Sequence, residues 1–573
     1  MTSSAADRAD RRGLPGGVLW IAALLALYVA VTGLWPLLRL FALALAPGEE
    51  GQALGLLAET LGGRAFQRAF WNTLSASAGS VVVSTVLGMA LALATGLLRM
   101  PGRAVIGFLA LSPLLIPSQI MALAWIELMG SSSAVLSPLG LAPPPGRPNP
   151  LYSGAGVAWL MGLEHMPLVF IAVRASLSAI PADLVEAARI AGASAGRITR
   201  RIVLPLTLPA AAAGAVLAFA AAVGNFGVPA LLGIPGRFPV LTTLIYQRLN
   251  GFGPGVIGRV AAMALVLVLM AAAALALRQI ILRALAVPLA AGARFQGFAP
   301  GRWSWLPVVL VWLVLLWLAV LPIMALLTTA LVPALGVAFG PDTASLQNFQ
   351  AALANPAIRR AFANSFLLAG LAAAISALVS IALAWLSVTA KSRLARGVSG
   401  VAEAGFVVPG TVLALAMILT YLPPLPLIGI SLYGTAAILL IAYLGRFLPM
   451  VLRPVEAAII AADPALDEAA RIAGAGAMRR MLLIAAPALL PAAMAGAMLV
   501  FMTAINELTL SALLWSAGHE TIGVQIFSMQ YEGNSTGAAA LSVMALALVG
   551  VLVLLLGRFG RGLPPGTLPW QAQ

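Results

Sequence analysis

Few side chains in this sequence are equipped for chemistry, and what is missing narrows the field. Among 573 residues there is no cysteine, a single lysine (Lys391), and two histidines, His165 and His519. Disulfides, thiolate metal sites and multi-histidine centres are excluded. Lys391 follows Ala390, whereas a phosphate-binding loop needs Gly-Lys-Ser/Thr, with the lysine reaching the phosphates. If nucleotide drives this protein, another subunit binds it. What remains are acids, amides and arginines set among apolar residues: Glu127, Glu164, His165, Arg174, Asn225, Arg446, Glu456, Asn506 and Glu507. Ionisable groups there are costly to bury and are functional candidates by default. They are not clustered in sequence as an enzyme at a membrane interface would need, so they suit the lining of a path.

The elements that must position them are apolar. The chain is 61% hydrophobic and 9% charged, too few charges to cover a soluble fold. Apolar runs of about 20 residues, enough to cross ~30 Å of hydrocarbon, recur along it. Only helices satisfy the backbone of such runs in lipid, so the fold class is an all-α polytopic membrane protein. The first run, 18–46, ends in Ala44-Leu45-Ala46, which mimics a signal-peptidase site, but it is too long for a signal core and reads as a retained helix. Further runs lie at 72–98, 104–130, 154–178, 206–232 and 256–282, then at 304–335, 362–390, 398–421, 432–457, 487–515 and 536–557. Twelve spans with both termini inside put 24 of the 33 Lys/Arg residues on one side, which sets the orientation by the positive-inside rule. The same rule accounts for the net charge of +15 without nucleic acid. The expected organisation is a cytoplasmic tail (1–16), a first six-span domain (17–285), a basic Gly/Pro-punctuated linker (286–303), a second six-span domain (304–558) and a cytoplasmic tail (559–573).

Two stretches break the apolar pattern, and they are copies. EAARIAGASAGRITRRIVLPLTLP starts at Glu186, and EAARIAGAGAMRRMLLIAAPALLP starts at Glu468. At this offset of 282 residues the first eight positions are identical, and Arg197/Arg479, Ile202/Ile484, Pro205/Pro487 and Pro209/Pro491 also coincide. Each reads as a short polar helix, a glycine break and a basic turn. Asp183 stands at capping-box spacing before Glu186. Asp463 precedes Pro464, an N-cap followed by proline at the first helical position. Gly192 and Gly474 permit a sharp change of direction. Pro205 and Pro487 mark the start of the next span. Six is even, so the two halves point the same way: parallel repeats related by an axis along the membrane normal.

The pattern Glu-Ala-Ala, then Gly, then Ile-x-x-Pro resembles the cytoplasmic loop of permease subunits in binding-protein-dependent ABC importers. Two copies resemble the fused group, in which one polypeptide carries two permease domains of the type I importer fold. The resemblance covers nearly the whole chain. It implies that loops 181–205 and 463–487 are coupling loops docking in the ATP-binding subunits. Glu186, Ala187, Ala188, Gly192, Glu468, Ala469, Ala470 and Gly474 would be the ATPase contacts. Two loops imply two ATP-binding cassette subunits, with ATP-Mg held there and no cofactor in this chain. A periplasmic solute-binding protein, the bacterial inner membrane and an alternating-access cycle are the further implications. The outer segments GIPGRFPVLTTLIYQRLNGFG and GHETIGVQIFSMQYEGN resemble the ferric-iron branch, with thiamine, polyamine and aminophosphonate permeases as close relatives. Fe³⁺ prefers oxygen ligands, and Glu127, Glu507, Glu520, Glu532 and Tyr246 offer them along the chain.

Symmetry assigns partners to the polar residues. The 282-residue offset matches Glu164 with Arg446, so a pair across the two halves is expected, and it matches Arg174 with Glu456 in the same charge swap. A helix turns about 280° over ten residues, so both pairs cannot face one axis. Asn225, and Asn506 with Glu507, lie at the outer end of the span after each loop and are expected to line the outer path, with Pro229 letting the helix loosen. Glu127 lies near the outer end of its span, within reach of water. The rival class is an ion-gradient-driven secondary transporter, which would need a mid-membrane acidic cluster and has no use for twin docking loops.

Overall fold

The computed structural model describes residues 16–559, apart from 49–50, 99, 250, 252–254, 286–294, 296, 299–304 and 427–428. The expected tails, but for Gly16 and Phe559, and most of the linker lie outside the described residues. The first half runs α1 (Val18–Ala44), α2 (Arg64–Leu97), α3 (Arg103–Leu115), α4 (Ser118–Met129), α5 (Gly154–Ser178), α6 (Ala182–Ile190), α7 (Ala195–Val223), α8 (Leu241–Leu249) and α9 (Val256–Leu285). The second runs α10 (Trp305–Leu331), α11 (Pro356–Thr389), α12 (Arg393–Val407), α13 (Gly410–Tyr421), α14 (Ala436–Ala461), α15 (Ala465–Ile472), α16 (Ala477–Ala504), α17 (Ile522–Tyr531) and α18 (Ser535–Phe559). Each helix of the first half has a counterpart in the second. The only extended pairing among the described residues is a bridge between Leu98 and Phe298.

Among the described residues ten helices are long and apolar enough to cross a membrane, and the count reaches twelve if two bent pairs each count as a span. Those pairs correct the sequence reading, which took 104–130 and 398–421 as continuous. α3 and α4 meet at 107°, and α12 and α13 at 113°. The cause is local. Pro117 and Pro409 lack a backbone N–H and hold the preceding Ile116 and Val408 extended, at ψ 123° and 126°. Elsewhere proline is absorbed. Pro36, Pro205, Pro322 and Pro487 each follow a single π-helical turn: Ala30–Leu34, Thr199–Val203, Leu316–Val320 and Met481–Ala485. The extra residue in the turn makes room for the ring. Hence α7 and α16 start at Ala195 and Ala477, upstream of the prolines expected to open them, with the arginines already helical.

The first span of each half crosses to the other. α1 lies on the second half, where Tyr28 donates to the Leu444 carbonyl (3.1 Å) and Tyr421 donates to the Val31 carbonyl (2.7 Å). α10 lies on α4, where Trp317 meets Trp125 edge-on at 5.9 Å. Thr329 of α10 donates to Glu127 at 3.1 Å. Glu127 is thus buried, at 7% exposure, and not wet as its position in sequence suggested. The exchange leaves one core running through both halves. Its tightest point is Gly445, where an added Cβ would lie 2.0 Å from the Thr32 carbonyl oxygen. Gly445→Ala should lower stability by about 1–3 kcal/mol through overpacking. The detergent-solubilised midpoint should fall accordingly, while Gly33→Ala, which meets nothing within 4 Å, should not lower it.

Candidate coupling loops and polar latches

α6 and α15 stand out from the apolar body as short polar helices, and both end the same way. Gly192 and Gly474 take φ of +77° and +81°, a region that only glycine enters without strain. Ala193 N–H then bonds the Ala188 carbonyl (2.9 Å) and Gly192 N–H the Arg189 carbonyl (2.9 Å). Ala475 to Ala470 (2.9 Å) and Gly474 to Arg471 (3.1 Å) repeat this Schellman ending. Glu186, Ala187, Glu468 and Ala469 are exposed, and Ala188 and Ala470 half-buried. The starts differ. Asp463 caps the Ala465 N–H at 2.9 Å, as expected. Asp183 sits in the first turn of α6 but makes no side-chain cap, so the expected capping box does not form.

The roots of the two helices also differ. α6 is plugged into the body by Val185, 1% exposed. At the matching position α15 carries Asp467, which pairs with Arg480, and Arg480 lies over the Trp385 ring at 5.8 Å. One loop is anchored by an apolar side chain and the other by an ion pair.

α6 hangs between the long helices α5 and α7, and α15 between α14 and α16. Glu164 of α5 accepts from Ser118 Oγ, at the first residue of α4, and from Asn225 Nδ2 at 2.8 Å, just past α7. Asn225 Oδ1 accepts from the Val228 N–H (3.1 Å), and its carbonyl accepts from Thr242 (2.9 Å). In the second half Arg446 of α14 donates to the carbonyls of Phe406 (3.2 Å) and Val408 at the end of α12. It also lies within electrostatic reach of Glu507. Glu507 accepts from the N–H groups of Leu510 (2.8 Å) and Ser511 (3.1 Å).

These are one arrangement with its charges exchanged. The 282-residue offset carries Glu164 to Arg446 and Asn225 to Glu507. In the first half a carboxylate faces the N-terminus of α4, and in the second a guanidinium faces the C-terminus of α12. A helix carries roughly +0.5 charge at its N-terminus and −0.5 at its C-terminus, so each end meets the opposite sign. Both latches tie a broken span to the long helices that flank α6 or α15. Across the halves, Gln119 of α4 donates to the Asn506 carbonyl at 2.8 Å, and Gly224 sits against Pro409.

Residues 84–287 and 376–567 both match the family described as binding-protein-dependent transport system inner membrane component, and together they make up more than half of the chain. The chain belongs to that family. It is similar to a probable ABC transporter permease protein, y4fN, of Sinorhizobium fredii: 28% identical over 523 residues, 86% of this chain and 89% of the relative. The ferric transport system permease protein FbpB of Actinobacillus pleuropneumoniae is 23% identical over 491 residues, 85% of this chain and 70% of the relative. A Salmonella paratyphi A protein assigned to 2-aminoethylphosphonate transport is 28% identical over 237 residues, 40% of this chain and 80% of the relative.

This is therefore the membrane permease component of an ABC importer, with two permease domains fused in one inner-membrane chain, and not the catalytic subunit. The family implies an ATPase and a periplasmic binding protein as partners. It also displaces the secondary-transporter rival. The expected Glu164–Arg446 pair does not form. Ion pairs form elsewhere, between Arg453 and Glu403 and between Arg480 and Asp467. Glu164 and Arg446 instead find partners in their own halves, Ser118 and Asn225 for the first and the Phe406 and Val408 carbonyls for the second. The permease brings together Glu164 with Asn225 and Arg446 with Glu507. It brings Asn506 to Gln119 only through its backbone. No group of three or more Asp, Glu or His residues able to hold a metal ion occurs among the described residues.

Two features of the permease escaped the sequence reading. Ile190 and Ile472, at identical places in the repeat, are 89% and 86% exposed. The signal was present, since both stand in the repeated RIAG, but hydropathy alone assigns such residues to a core. The Asn225–Glu507 match was also available from the offset. The glycines give a direct test. Nothing lies within 4 Å of a Cβ added at Gly192 or Gly474, so backbone strain alone opposes substitution. Alanine at both should cost roughly 1–2 kcal/mol per site and turn each coupling helix from its seat. ATP-driven uptake in proteoliposomes should fall several-fold, and the solubilised midpoint should fall with the added strain.

Proposed function

We propose that this permease passes Fe³⁺ from a periplasmic binding protein to the cytoplasm by alternating access, driven by two ATP-binding subunits. The observation that carries the reading is the pair of matching coupling helices, each ending in a left-handed glycine and each presenting a bare isoleucine. Glu186, Ala187, Ala188 and Gly192 contact one ATPase, and Glu468, Ala469, Ala470 and Gly474 the other. Both termini and both loops lie in the cytoplasm. ATP-Mg closes the ATPase pair, α6 and α15 move together, and the latches at Glu164 and Arg446 carry that motion to the broken spans. Asn225, Asn506 and Glu507 then border the outer path. Scattered oxygen ligands suit a passage, with tight capture left to the binding protein.

Iron is favoured by the similarity to ferric permeases over most of the chain. A second reading, an aminophosphonate substrate, is favoured by the Salmonella relative, and thiamine and polyamines remain outcomes of the same test. The tagged chain would be purified in mild detergent with everything that accompanies it, and Glu186→Lys/Glu468→Lys would be the control. An ATPase at two copies per chain, lost in the control, is the expected result. The accompanying binding protein would then be titrated with Fe³⁺, 2-aminoethylphosphonate, thiamine and spermidine. Binding of any of the last three without Fe³⁺ would replace the iron assignment.

A further inference from the structure

The Arg174/Glu456 swap takes no part in the latches, and it marks a cavity. Where α5 approaches the first coupling loop, a hollow of about 660 Å³ is lined by Thr95, Arg103, Arg174, Ser178 and Phe295, among others. Pockets that bind small molecules span roughly 300–1,000 Å³. Both charged residues in its wall are arginines. Arg103 donates to the Leu98 carbonyl, while its buried Nε has no acceptor. Arg174 lies over the Phe170 ring at 5.7 Å and makes no hydrogen bond or ion pair among the described residues. The two guanidinium groups act on each other electrostatically, so the hollow holds two like charges with no carboxylate between them.

The second half neutralises the same place from within. Glu456, the counterpart of Arg174, accepts from Ser387 at 3.5 Å, and Arg453 pairs with Glu403. In the first half Phe295 borders the hollow instead. Phe295 N–H bonds the Ile180 carbonyl (3.2 Å), and Phe298 N–H bonds the Leu97 carbonyl (2.7 Å). Ile180 lies two residues before α6. Any occupant therefore touches the ends of α2 and α5, the start of α3 and Phe295, beside α6.

We propose that this cavity binds a phosphate group, supplied by the headgroup of an anionic phospholipid or by free inorganic phosphate. Guanidinium forks match phosphate oxygens in geometry and charge, and their hydrogen bonds to an anion are among the strong ones. Basic pockets between membrane helices on the positive side are suited to anionic headgroups. Met100 and Leu177 supply apolar wall beside the arginines.

The test is the unfolding midpoint of the full chain in detergent micelles. The probes are phosphatidylglycerol, phosphatidylethanolamine, and inorganic phosphate against chloride at equal ionic strength. Phosphatidylglycerol or phosphate should raise the midpoint saturably, and phosphatidylethanolamine should not. A rise with lipid alone assigns the headgroup; a rise with phosphate alone assigns the free anion. Arg103→Gln/Arg174→Gln should weaken the effect at least tenfold, and Arg453→Gln in the second half should leave it unchanged. Arg174→Lys keeps the charge without the fork, and should bind the effective probe more weakly even if the double variant fails to fold. A midpoint indifferent to both probes, or a rise that survives Arg174→Lys at full strength, overturns the proposal.

Discussion

Replacing Ile190 and Ile472 together with aspartate should strip the ATP-binding subunits from the permease and end uptake, while the chain still inserts and folds. These side chains are 89% and 86% exposed, so neither holds the fold together. Exposed substitutions of this kind move stability by no more than about 0.5 kcal/mol. At an interface the account is different. Full burial of an isoleucine is worth about 1.5–3 kcal/mol, so two lost anchors remove roughly 3–6 kcal/mol. At about 1.4 kcal/mol per tenfold, the complex weakens by roughly two to four orders of magnitude. Co-purification of the ATPase and its stimulation by the permease both read the effect. Each single change should give a partial loss. An intact complex in the double variant would mean that the coupling helices seat through their polar faces.

Arg446→Met should be the most damaging single change in the polar interior. It removes the donor to the Phe406 and Val408 carbonyls at the break between α12 and α13. It also leaves Glu507 without its nearby positive charge. Leaving an acceptor in the interior unsatisfied costs about 1–3 kcal/mol, and more for a charged group. The solubilised midpoint should drop sharply, and uptake should fail even where protein survives. Adding Glu507→Gln should restore part of the midpoint, because the amide removes the uncompensated charge while its oxygen still accepts from Leu510 and Ser511. No recovery would mean that the carbonyl contacts at the break matter more than the charge. Glu164→Gln should be milder, about 1 kcal/mol, since the amide oxygen still accepts from Asn225 while the amide N–H can donate to the Ser118 hydroxyl.

Much of this was legible in the chain itself. Twelve apolar runs, an even number per half and a repeated polar octapeptide announced a helical membrane protein built twice in one orientation. Gly192 and Gly474 announced their turns, because no other residue takes that backbone conformation without strain. Asp463 announced its cap, while Asp183 did not keep its own, since α6 starts at Ala182 and leaves Asp183 inside the first turn. Such features are local, decided within a few residues by backbone geometry or by transfer into lipid.

The tertiary structure decided what local rules cannot. Lipid and protein interior are equally apolar, so the runs at 104–130 and 398–421 read as straight spans although Pro117 and Pro409 fold each back on itself. The same blindness hid the crossing of α1 and α10 into the opposite halves, which put Glu127 out of reach of water. It also hid the choice of partners. Glu164 and Arg446 are matched by symmetry and opposite in charge, yet each bonds within its own half, at a helix end of the right sign. A sequence states which charges must be satisfied inside a membrane, and only the packing of the helices determines by what.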